Sequence, residues 1–166
     1  MSAAGLIGAA RTPVPAIYVT YKSYVGKSSA GGCPLQCTVS ISDAPLATGQ
    51  GNHGGFSRAE TRNFMAAMGP DFKTCFADPA PVSNADIAPT LARVMGIALP
   101  ARGKLAGRVA SEALTGGGPV AVQKRVIASD PGPDGRRMFL DEQSVGDTRY
   151  FDAAGYAGRT AGLATR

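Results

Sequence analysis

Apolar and polar positions along the chain predict a mixture of short strands and one well-marked helix. Residues 16–21, Ala-Ile-Tyr-Val-Thr-Tyr, are rich in β-branched and aromatic types and follow Pro13 and Pro15, which predicts a strand. Residues 37–42 alternate and predict a second, short one. The run 62–68, Arg-Asn-Phe-Met-Ala-Ala-Met, ends at Gly69-Pro70. It is too short for periodicity to decide, and a buried strand is the expectation. The clearest helix spans 84–95, where Ile87, Leu91, Val94 and Met95 fall on one face. Ser83 and Asp86 are both candidate N-caps. Asp86 is preferred because it puts Pro89 in the first turn, where the missing N–H has no partner to lose. Gly96 is expected to close the helix in the left-handed conformation. A weaker helix is predicted for 104–114, ahead of Gly116-Gly117-Gly118.

Beyond that point the pattern changes. Residues 120–128 and 137–140 flank a stretch with Pro131, Pro133 and Asp134-Gly135, which predicts two antiparallel strands joined by a long loop. The last twenty residues hold Tyr150, Phe151 and Tyr156 among Gly and Ala, and are expected to pack on a surface rather than form a core.

With 166 residues, 44% of them hydrophobic and 17% charged, the chain has the length and composition of one globular domain. Its 22 Gly and 12 Pro predict many turns, densest between Asp43 and Ser57. A structureless stretch of that length is uncommon unless functional. The net charge of +5 is spread along the sequence and has no interleaved aromatics, so a solvated basic surface is expected and no nucleic-acid partner. No apolar run approaches the ~18 residues of a membrane span, so no membrane partner is expected. Met1 to Ala10 lack a basic start and do not read as a signal peptide. Cys33, Cys37 and Cys75 make an odd count. Cys33 and Cys37 fit a local disulfide in an oxidising compartment or, less readily, part of a zinc site.

Two segments invite a chemical reading. Gly26-Lys27-Ser28 looks like the end of a P-loop, but the glycine required five residues earlier is Tyr21, and the loop runs on to Gly31-Gly32-Cys33-Pro34. Nucleotide binding there is rejected. The sole histidine, His53, sits in Gly51-Asn52-His53-Gly54-Gly55, where glycines permit close approach to an ion or ligand. One histidine supplies one of the roughly three protein ligands of a catalytic zinc. Its own chemistry leaves a metal ligand and a plain loop histidine both open.

Three segments in order resemble the C-terminal block of the nucleotide pyrophosphatase/phosphodiesterase branch of the alkaline phosphatase superfamily. They are the loop from Gly51 to Phe56, the run from Asn63 to Lys73 containing Gly69-Pro70-Asp71-Phe72-Lys73, and the stretch from Ser83 through Asp86, Pro89 and Thr90 to Gly96-Ile97. The Asp-x-x-Pro-Thr helix is shared with sulfatases, whereas the His loop joined to Gly-Pro-Asp-Phe-Lys favours the phosphodiesterase branch. Arg11-Thr12-Pro13 is similar to a segment that precedes this loop, and Gly103 to Arg108 looks like a bacterial subgroup's C-terminal extension.

The resemblance implies an α/β fold: a partial alkaline-phosphatase-like sheet with flanking helices over residues 1–115, and a β-hairpin with an irregular C-terminal extension over 116–166. It supports a buried strand at 62–68. It implies a hydrolase of phosphate mono- or diesters with two zinc ions, in which His53 is one zinc ligand and a Ser or Thr attacks phosphorus. The family's nucleophile and other zinc ligands lie upstream of this block. No catalytic residue is therefore expected here, and turnover by this chain alone is not expected. Partners implied are a phosphate-ester substrate of the complete enzyme and the N-terminal part of the domain, and the compartment implied is periplasmic or extracellular. Many relatives follow the His with Gly-Tyr-Asp where this chain has Gly54-Gly55-Phe56-Ser57, so contacts of that Tyr-Asp are not carried over. The alternative is a non-catalytic binding or structural module that keeps the superfamily's C-terminal packing.

Overall fold

A computed structural model describes residues 13–25, 38–40, 54–100 and 107–163. Its described elements are mixed α and β: strands β1 (Ser23–Val25) and β2 (Thr38–Ser40), a one-turn helix α1 (Arg58–Thr61), helix α2 (Asn84–Val94), a 3-10 turn (Ser111–Ala113), and strands β3 (Val122–Ala128), β4 (Met138–Val145) and β5 (Thr148–Tyr156). β1 and β2 pair antiparallel, with Tyr24 opposite Val39. The larger sheet is antiparallel in the order β3-β4-β5. The hairpin between β4 and β5 turns on Gly146-Asp147. Gly146 takes φ 54° at the first position, as a two-residue turn of type II′ requires.

The chain divides into two compact units, one of Met1–Ala16, Met65–Lys124 and Gln143–Tyr150, the other of Ile17–Phe64, Arg125–Glu142 and Phe151–Arg166. In the first, α2 is fixed at both ends. Ser83 is its N-cap: the Ser83 hydroxyl accepts from the Ala85 N–H at 3.2 Å, and Asp86 accepts from the Ser83 N–H at 2.8 Å. At the C-terminus Gly96 (φ 66°) lets the Ile97 N–H reach the Ala92 carbonyl at 2.9 Å and its own N–H reach Arg93 at 3.3 Å, the paired bonds of a Schellman ending. Pro89 lies inside the helix and removes the donor for the Ala85 carbonyl. Gly107 lies against that carbonyl, and a Cβ there would overlap it.

In the second unit, Ser23 is buried and ties the C-terminal segment. Its N–H donates to the Arg159 carbonyl at 3.0 Å, and its hydroxyl accepts from the Ala161 N–H at 2.9 Å. Arg58 donates through its backbone to Ala161 and through its guanidinium to Asp152 at 2.7 Å.

Several expectations are corrected. The cap of α2 is Ser83 and not Asp86, because Asp86 at the third helical position serves better as the acceptor closing the box than as the first residue. Pro89 consequently falls past the first turn. Residues 16–21 form no strand; the strand begins at Ser23, where β2 supplies a ladder, and Ile17 and Val19 stay exposed. Residues 62–68 also form no strand. Phe64 and Met68 are exposed, and among the described residues nothing offers this run a sheet edge. In place of a helix over 104–114, residues 107–110 are irregular and lead into the 3-10 turn Ser111–Ala113; 104–106 lie outside the described residues. The last twenty residues do supply core. Tyr150, Ala153 and Ala154 are buried on β5, which continues the sheet as a long strand, and Ala161 and Leu163 are buried in the segment after it, which Ser23 and Arg58 hold. Strands at 120–128 and 137–140 are present as β3 and β4, and β2 lies within 37–42.

Candidate functional site

The most developed polar constellation of the described residues lies in the first unit and was not predicted as a site. Asp86 is buried and accepts three hydrogen bonds: from the Ser83 N–H at 2.8 Å, the Arg108 N–H at 2.8 Å and the Tyr150 hydroxyl at 2.9 Å. Arg108 uses all five of its guanidinium N–H donors. Nε donates to the Tyr150 oxygen at 2.7 Å, Nη1 to Glu112 at 2.7 Å and to the Val109 carbonyl at 3.2 Å, and Nη2 to the Pro81 carbonyl at 3.0 Å and to Glu112. Tyr150 is therefore both acceptor and donor, a relay between guanidinium and carboxylate. Thr90 adds a fourth tie by accepting from the Ala110 N–H at 3.0 Å.

The electrostatics follow from these partners. Burial opposes the Arg108 charge, but the bonds to Glu112 and Tyr150 prevail and hold the guanidinium more firmly protonated than usual. Burial also opposes ionised Glu112, and Arg108 overcomes it, lowering the carboxyl below the ordinary range. Burial, then the bond to Asp86, pushes the Tyr150 phenol up, so it stays a donor. A cluster so saturated positions chain segments. It offers no free nucleophile and no unengaged base.

His53 lies outside the described residues, as do Cys33 and Cys37; Cys75 is described, exposed and unpaired. What is described is the anchor of the His53 loop, in the second unit. Phe56 stacks on Tyr18 with ring centroids 4.2 Å apart and planes 6° apart, and packs against Phe151 at 4.8 Å. The Phe56 carbonyl accepts from the Ala154 N–H of β5 at 2.8 Å. Gly54 needs its φ of 88°, and the Tyr18 hydroxyl closes on it. Glu60 accepts from the Ser57 N–H at 2.9 Å and fills the space a Gly55 side chain would need.

From the Gly69-Pro70-Asp71-Phe72-Lys73 segment, Gly69, Pro70, Phe72 and Lys73 line an open cavity of about 570 Å³ in the first unit. It is pinned by a Phe72–Leu114 bridge and by the Thr115 N–H donating to the Asp71 carbonyl at 2.8 Å.

Zinc was expected on His53. Among the described residues no group of three or more His, Cys, Asp or Glu is placed to hold a metal ion. Asp86 and Glu112 do not fit one, since their oxygens are occupied by Ser83, Tyr150 and Arg108. No helix among these residues is long and apolar enough to cross a membrane. Comparison of the chain with protein-family models, with curated proteins and with solved structures gave no match.

The clamp left partial traces in the sequence. Ser83-x-x-Asp86 is a capping-box pattern, and Arg108 and Glu112 are spaced as an i,i+4 pair. The part played by Tyr150 had no local signal, because its partners are 42 and 64 positions away.

Proposed function

We propose that this chain is the C-terminal portion of an alkaline-phosphatase-like domain that hydrolyses phosphate mono- or diesters, with His53 as one ligand of its zinc site, and that it has no turnover by itself. The observation that carries the reading is the segment 83–97. It bears the family-like motif, it is a helix capped at both ends, and it turns Ile87, Leu91 and Met95 outward. An amphipathic helix is normally stabilised by covering its apolar face. A helix of this kind with its apolar face exposed suits a piece of a larger layered domain. Phe64 and Met68, exposed in the run expected to be a buried strand, point the same way.

The second reading is a non-catalytic module, favoured by the saturation of the Asp86–Arg108–Glu112–Tyr150 clamp. Coexpression of the chain with the polypeptide encoded upstream of Met1, followed by zinc analysis and an aryl phosphodiester assay, separates the two. The enzyme reading expects zinc-dependent hydrolysis in the assembled pair, none by the chain alone, and loss of both zinc and rate in His53→Ala. Unchanged zinc content and rate in His53→Ala removes the role given to His53, and an upstream sequence without nucleophile or metal ligands leaves the module.

A further inference from the structure

The open cavity of the first unit is lined by charge of one sign. Pro70, Phe72 and Phe76 give it apolar walls, and Lys73 is its charged residue; among the described residues no carboxylate lines it. The Lys73 ammonium sits over the Phe76 ring, 4.7 Å from its centroid. That contact occupies one side of a group that carries three N–H donors. Among the described residues Lys73 has no ion pair to engage the other sides. The walls are held in place by the chain itself. The Lys73 N–H donates to the Ala113 carbonyl at 3.0 Å, and the Phe72 N–H to the Gly69 carbonyl at 3.2 Å. Cys75, which also lines the cavity, takes a φ of 51°. Residues with a side chain rarely adopt that conformation, and such positions cluster at ligand sites.

We propose that this cavity binds a small aromatic carboxylate, with the carboxylate on Lys73 Nζ and the ring against Pro70, Phe72 and Phe76. A concave, largely apolar site holds the body of a ligand by contact and sets its orientation with a few polar groups. One ammonium offsets one negative charge, which suits a monoanion. A phosphate carries up to two charges and is better met by an arginine fork or a helix N-terminus, and no arginine lines this cavity among the described residues. The faces and edges of Phe72 and Phe76 favour an aromatic body, which gains stacked or edge-on contacts that an aliphatic one does not. The cavity is open to water, which screens the charged contact, so a compact ligand is held with a dissociation constant on the order of 1 mM, and added salt weakens it. This site needs neither His53 nor zinc and stands apart from the phosphate-ester reading.

The test uses the full chain, isotopically labelled, with benzoate as the probe. Benzamide presents the same ring without the charge, and inorganic phosphate presents charge without the ring. Amide shifts are followed by NMR as each is added to about 10 mM, roughly ten times the expected dissociation constant. Benzoate is expected to give saturable shifts at residues 72–76 and 115–116. Benzamide and phosphate, and benzoate on Lys73→Met, are each expected to bind at least about tenfold more weakly. The proposal is overturned if benzoate gives no saturable shifts there, if benzamide or phosphate matches it, or if Lys73→Met binds benzoate as wild type does. Lys73→Met keeps an apolar stem, and its amide spectrum away from the cavity shows whether it folds. If it does not fold, the Lys73 Cε resonance of the unaltered chain decides. It shifts in step with the cavity amides as benzoate is added, and a resonance that stays in place overturns the proposal.

Discussion

The Tyr150 hydroxyl donates to Asp86 Oδ2 at 2.9 Å and joins β5 to the first turn of α2 across 64 positions of sequence. The same oxygen accepts from Arg108 Nε at 2.7 Å, so one phenol holds a cation and an anion in register. Removing it leaves two buried groups each short of a partner. Tyr150→Phe is therefore expected to destabilise the chain by about 1–3 kcal/mol, the cost of unsatisfied buried polar groups. A urea titration measures this. A loss below about 0.5 kcal/mol, the level of a surface change, would mean that water replaces the phenol without penalty.

Asp86 closes the capping box and also receives Arg108 and Tyr150, whereas Ser83 does capping alone. Ser83→Ala is expected to cost about 1 kcal/mol. Asp86→Ala is expected to cost more, about 2–4 kcal/mol, because the Arg108 backbone N–H and the Tyr150 hydroxyl are also left without an acceptor. The ranking is checked by denaturant midpoints under one set of conditions. Equal losses in the two variants would show that the clamp adds nothing beyond the cap.

The legible parts of this fold are those whose cause is local. Helix α2, its Gly96 ending, strand β3 and the start of β4 follow from periodicity and turn residues that act within a few positions. Residues 16–21 and 62–68 carry strand-like composition, but a strand needs a neighbour, and composition says nothing about one. The face of α2 was legible as amphipathic, and its burial was not: Asp86, Thr90 and Ala92 are inside while Ile87, Leu91 and Met95 are outside. Hydrophobicity had pointed the other way, since the segment at 107–110 covers the polar face through hydrogen bonds to Asp86 and Thr90. Of the site, Asp86 is legible only as a capping residue of α2, and its connection to Arg108 through Tyr150 has no sequence signal. The expectation for His53 came from its glycine-flanked loop and the resemblance, and the structure describes that loop only from Gly54 onward.

The outward face of α2 gives the sharpest separation between a part of a larger domain and a self-sufficient module. Ile87, Leu91 and Met95 are 43%, 44% and 61% exposed, so within this chain they bury little area to lose. Leu91→Lys is accordingly expected to change the stability of the chain alone by no more than about 0.5 kcal/mol, as exposed substitutions do. Under the enzyme reading the same face is covered by the rest of the domain, where a lysine would leave an unpaired charge in an apolar contact. Leu91→Lys should then abolish copurification with the upstream polypeptide and, with it, zinc-dependent phosphodiester hydrolysis. Two measurements on one variant distinguish the possibilities. A loss of about 2–5 kcal/mol in the chain alone would mean that Leu91 is already packed here, as a core leucine is. Normal stability with undiminished assembly would mean that α2 keeps this face in water, and the helix would no longer support a place in a larger sheet.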